Sequence, residues 1–126
     1  MSGSLYSDEQ NARDVFLLAS VMQTTGAAQL LYFKVPVACT ITSFTYAVDT
    51  EGNADNVHNA ELRTGTTVLF AAGPTAPDTV AEDTEVASGQ SASRDKGETL
   101  NIKIDAPTGT TAASTGGHVQ VWAIRR

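Results

Sequence analysis

The segment Thr99–Ile104 (TLNIKI) sets the strongest constraint on the fold, because Leu100, Ile102 and Ile104 fall on every second position with polar residues between them. Alternation of period two is the signature of a strand with one face buried, and it excludes an amphipathic helix over the same residues. The pattern recurs along the chain. Leu31, Phe33 and Val35 share one phase of Leu30–Val35, with Tyr32 and Lys34 on the other, and Val119, Val121 and Ala123 alternate within His118–Ile124. In Cys39–Val48, Cys39 and Ile41 share one phase while Phe44, Tyr46 and Val48 share the other. The slip between Thr42 and Ser43 predicts a β-bulge. Turn residues punctuate these runs. Thr64-Gly65-Thr66 separates Asn59–Arg63 from Thr67–Ala71 and predicts a hairpin with Leu62, Val68 and Phe70 inward, and Asp95-Lys96-Gly97 leads into the TLNIKI strand.

The remaining segments are weaker variants of the same pattern. Val15–Met22 is short and apolar, and Thr24-Thr25-Gly26 follows it, so the runs on either side of Gly26 predict a second hairpin. Pro36 closes the second of them, since proline cannot donate to a ladder. Gly73–Gly89 reads as a surface loop with one short strand near Val86, and Ser91–Arg94 as another short strand. Ser7 and Gln10 match a capping box, but the residues after Asp14 do not continue a helical face. Trp122 and Ile124 place apolar groups on the second face of the last run, which predicts a central or covered strand. About seven to nine short strands at this spacing predict a single antiparallel β-sandwich over residues 15–126, preceded by an extended N-terminal arm at residues 1–14.

Size and charge narrow the function. The chain has 126 residues, enough for one domain with a real core. Charged residues are only 17% of it, replaced by Thr, Ser, Ala and Gly, a composition that suits strands and tight loops better than surface helices. Net charge is −6, and of the 8 basic residues only Arg125 and Arg126 adjoin, so no cluster exists to grip phosphates and nucleic-acid binding is not expected. Residues 1–7 lack the basic start and apolar run of an export signal, and no stretch approaches the ~20 apolar residues of a membrane span. The expectation is a soluble protein that is not exported.

Few residues of the chain are arranged for chemistry. The single cysteine, Cys39, reads as a small buried hydrophobe beside Ile41, with no base nearby to activate it. His58 and His118, the only histidines, read as a loop-end and a strand-start residue, and no serine carries the sharp-turn signature of a nucleophile. Asp49, Glu51, Asn53 and Asp55 alternate oxygen ligands in one loop, as calcium prefers, but Ala54 and Ala60 stand where an EF-hand loop needs Gly and Glu. Glu82, Asp83 and Glu85 form a weaker acidic group. No catalytic residue and no cofactor is expected. Among small ligands, a sugar stacked on Trp122, Tyr6 or Tyr32 is the main rival to a protein partner.

The runs VFLLASVMQTTGAAQLLYFKVPVACTITSFTYAVDTEG, AELRTGTTVLFAAG and SRDKGETLNIKIDAPTGTTAASTGGHVQVWAIRR resemble small structural proteins of tailed bacteriophages, in particular capsid decoration (cement) proteins. The resemblance covers the chain from Val15 to its C-terminus and rests on the Pro-ended strand, the DKGETLNIKI turn and strand, the Thr/Gly/Ala loop and the final strand. It implies a jelly-roll-like sandwich, a homotrimer on the outer capsid surface of a virion assembled in the host cytoplasm, and the major capsid protein as partner. Such proteins often clamp neighbouring subunits with an N-terminal arm, for which this chain offers only Leu5 and Tyr6 as large apolar anchors. Aromatic residues dominate interface hot spots, which makes Tyr6, Phe16 and Trp122 the expected anchors. A tail, neck or fibre module binding a receptor or carbohydrate is the alternative that the same features allow.

Overall fold

The computed structural model describes residues 14–22, 29–47, 60–72, 80–83, 85–104 and 117–126. Their elements, in order, are β1 (Val15–Met22), β2 (Gln29–Lys34), β3 (Cys39–Ala47), β4 (Ala60–Thr64), β5 (Thr67–Ala72), β6 (Val80–Asp83), β7 (Ser93–Arg94), β8 (Thr99–Ile104) and β9 (His118–Arg125). One sheet runs β1-β9-β3-β6, with β7 pairing the start of β3, and the other runs β2-β8-β4-β5. All the pairings are antiparallel. The domain is an all-β sandwich, as the alternation requires.

The pairs are nested along the chain: β1 with β9, β2 with β8, β3 with β6, and β4 with β5. This is one long hairpin with its tip at Gly65, where φ is +60°. Rolling the hairpin brings β9 onto β3 and β8 onto β4, which completes the two sheets. The inward faces then close over Phe44, Tyr46, Leu62, Phe70, Leu100, Ile102, Val119 and Val121, each at most 1% exposed. Cys39 is buried in the same cluster. Burial pushes its thiol pKa up, partly offset by the nearby Arg126 and Arg94 charges.

Three register slips shape the strands. Ile41 pairs with Ala123 and Ser43 with Trp122, which leaves Thr42 as the extra residue of the predicted bulge and returns Phe44 and Tyr46 to the core side. Leu62 pairs with Phe70 but Arg63 with Val68. Leu69 is therefore the extra residue on β5, and it takes the buried place expected for Val68, which is only half-buried. The third slip lies between Leu17 and Ala19 on β1.

Two expectations are corrected. Val15–Met22 and the strand after Gly26 do not pair as a hairpin: β1 joins β9 and β2 joins β8, in opposite sheets. Two adjacent runs with turn residues between them specify a reversal of direction, and a chain that crosses between layers reverses just as a hairpin does. The short strand in the acidic stretch is Val80–Asp83 rather than one near Val86, and Val86 packs against the core from outside any strand. The expected arm, residues 1–14, lies outside the described residues except for Asp14.

Candidate functional site

The two flanks of the sandwich differ. On one, Asp83 at the end of β6 ties the sheets together: its carboxylate accepts a bond from the Ala71 amide of β5 at 3.3 Å and from the Glu85 amide at 2.9 Å. The Ala87 amide also donates to the Leu69 carbonyl at 2.9 Å. Asp83, the centre of the weak acidic group, therefore has a joining role. β1 and β2 are the outer strands of the opposite flank, and among the described residues no strand pairs with the outer edge of either.

The apolar surface collects on that flank. Seven large hydrophobic side chains are exposed among the described residues: Val15, Leu17 and Met22 on β1, Leu30, Leu31 and Tyr32 on β2, and Ile124 at the end of β9. Register explains how they are distributed. Directly opposed residues of an antiparallel pair point to the same side, so Val15 with Ile124 and Leu17 with Trp122 form adjacent rows on the outer face of the β1-β9-β3-β6 sheet. Trp122 is half-buried there, between Leu17 and Ser43. On the other sheet, Leu30 and Tyr32 face outward, while Leu31 faces Ile102 in the core layer yet stays 41% exposed because the flank beside it is open. Single exposed hydrophobics need no explanation, whereas these seven share one flank of the sandwich, distributed over the outer faces of both sheets and the edge between them.

The structure sorts the expected anchors. Trp122 lies in the apolar rows, whereas Phe16 pairs with Ala123 and packs against the core, and its neighbour Leu17 takes the exposed place. The sequence could not distinguish Phe16 from Leu17, since β1 is apolar in both phases. Leu5, Tyr6, His58 and the oxygen-ligand loop Asp49, Glu51, Asn53 and Asp55 lie outside the described residues. Among the described residues no group of three or more His, Cys, Asp or Glu is placed to hold a metal ion.

One polar arrangement has no signature in the sequence. Ser20 Oγ lies 2.8 Å from His118 Nε2 on the outer face. The bond is a diagonal across β1 and β9, since Ser20 opposes Gln120 and Met22 opposes His118. Nucleophilic catalysis also needs a group to orient the imidazole and donors for an oxyanion. Among the described residues no such group is bonded to this ring; Ser20 sits in mid-strand, and the pair links β1 to β9 across the outer face.

Asn101 is the one buried polar side chain of the described residues, although it lies on the outer side of its sheet between Tyr32 and Arg63. Its Oδ1 accepts from Arg63 Nε at 2.9 Å and its Nδ2 donates to the Gly65 carbonyl at 2.8 Å. These bonds fix the hairpin tip and, with it, the surface beside Tyr32. No protein-family model matches the sequence, and no curated protein matches it at a significant level. No helix among the described residues is long and apolar enough to cross a membrane.

Proposed function

We propose that this chain is a virion structural protein that decorates the outer surface of a capsid and binds its major capsid protein, acting through contact and not through catalysis. The observation that carries the reading is the gathering of the exposed large hydrophobics of the described residues on the open β1/β2 flank and the adjoining end of β9. A surface of that kind suits a protein partner, because open strand edges add main-chain hydrogen bonds to side-chain contact. The nested order of strand pairs also fits the jelly-roll form implied by the resemblance to phage decoration proteins. Low charge and many Thr, Ala and Ser residues limit the side-chain entropy lost when such a surface is covered.

The carbohydrate-binding alternative draws less support. Trp122 and Tyr32 stand on the outer faces of opposite sheets, so they cannot form one stacking platform.

Co-sedimentation of the purified chain with expanded, empty capsids tests the proposal. The wild-type chain is expected to bind at high copy number, and Trp122→Ala to weaken binding about tenfold or more, as the loss of an aromatic hot spot does. Absence of the chain from purified particles by mass spectrometry, or glycan binding lost on Tyr32→Ala, overturns it.

A further inference from the structure

We propose that β1 is a self-association edge, through which two copies of the chain join their β1-β9-β3-β6 sheets antiparallel about a two-fold axis. An open strand edge is a template for pairing, and natural proteins guard such edges with charge, proline or shortness. The other edges of the described residues carry guards. β2 has Lys34 and is followed by Pro36, β6 is four residues long with Glu82 and Asp83, and β5 is tied to Asp83 and Ala87. β1, with the sequence VFLLASVM, is eight residues long and has no charged residue and no proline.

The occupant follows from the symmetry of the strand. Along Val15–Met22 exposure alternates, then reverses phase at the central bulge, so the sequence of exposed and half-buried residues reads the same in both directions. A second β1 running antiparallel, with the axis between Leu18 and Ala19, places Val15 opposite Met22 and Leu17 opposite Ser20, all on the outer face. Phe16 then faces Val21 on the core side. A two-fold contact needs a patch that complements itself, and this pattern supplies one. The bulge, which on many edges discourages pairing, is what makes the pattern symmetric. Each copy carries a net charge of −6, yet the seam brings no like charges together because β1 has none.

The joined sheet would run continuously through both copies and set two Trp122 rows on one face, so that a single dimer could bridge two partner subunits. That consequence rests on the docking proposal, but the dimer itself does not. It replaces the trimer that the family resemblance implied.

Sedimentation velocity of the full-length chain over a concentration series is expected to show a monomer–dimer equilibrium. Leu17→Glu should raise its midpoint about tenfold or more, with an unchanged circular dichroism spectrum. If that variant does not fold, Met22→Glu takes its place, since Met22 is 64% exposed. The register has its own test. Leu17→Cys combined with Ser20→Cys should oxidise to a covalent dimer, while Leu17→Cys alone should not. Residues three apart on one strand are ~10 Å from each other, too far for a disulfide within the chain. A monomer at every concentration, a trimer mass, or a dimer that ignores Leu17→Glu and fails to cross-link would each overturn the inference. Capsid binding that persists in a monomeric variant would leave the docking proposal standing, and loss of capsid binding in an intact dimer would do the reverse.

Discussion

Replacing Asn101 tests whether polar bonding, and not packing alone, holds the β4–β5 hairpin against the rest of its sheet. The side chain is 1% exposed and makes one bond with a charged donor, Arg63, and one with the Gly65 carbonyl. A neutral bond contributes about 0.5–1.5 kcal/mol and a charge-assisted one about 1.5–3 kcal/mol, so removing both should cost about 2–4 kcal/mol. For a domain of this size that is a fall in Tm of roughly 6–20 °C. Asn101→Leu separates the causes, because it keeps the volume and deletes both bonds. Chemical denaturation should show Asn101→Leu and Asn101→Ala losing comparable stability, while Thr99→Ala, an exposed change on the same strand, stays within ~0.5 kcal/mol of wild type. A double-mutant cycle with Arg63→Ala should give a coupling of about 1–2 kcal/mol. An Asn101→Leu variant as stable as wild type would refute the reasoning, since volume would then be all that the site requires.

Two further outcomes concern the backbone and the buried thiol. Gly97 has φ of +86° with no atom near the space a Cβ would fill, so Gly97→Ala should cost about 1–2 kcal/mol through backbone conformation alone, measurable by urea titration. Cys39, with its thiol pKa raised chiefly by burial, should react with a disulfide reagent only as fast as the domain opens. Because the folded form holds this proton more tightly than the unfolded form, its contribution is complete below the ordinary thiol pKa of about 8.5 and declines as pH rises beyond it. The pH dependence of wild type minus that of Cys39→Ala, from denaturation midpoints between pH 7 and 10, should show that decline. A flat difference would remove the buried thiol as its source.

Much of the fold was legible in the sequence because burial writes itself as a period. The phases assigned to Leu100, Ile102 and Ile104, and to Val119, Val121 and Ala123, are those the core uses, each 0% exposed. The bulge near Thr42 was readable for the same reason, since the extra residue shifts the apolar phase by one. The slip on β5 was not, because Val68, Leu69 and Phe70 are consecutive apolar residues and such a run looks the same in either phase. The choice of partner strand was equally hidden. Nothing in Val15–Met22 distinguishes the next strand along, which begins at Gln29, from one near the C-terminus, as the actual pairing with β9 shows.

The surface was legible only in part, for a related physical reason. Alternation tells which residues share a face, but whether that face is covered depends on what lies beside the strand. Leu31 carries the phase of a core residue, and on a central strand it would be sealed as Ile102 is. On an edge strand it stays open. Trp122 shows the reverse case. It has the outward phase, yet it lies half-buried because Leu17 flanks it across β1. Edge position therefore converts apolar pattern into apolar surface, and it belongs to the topology rather than to any one segment. That makes the uncharged sequence of β1 informative once its place is known. A central strand can be uniformly apolar at no risk, whereas an eight-residue edge of the same composition invites pairing, and that contrast is what the proposed self-association of β1 rests on.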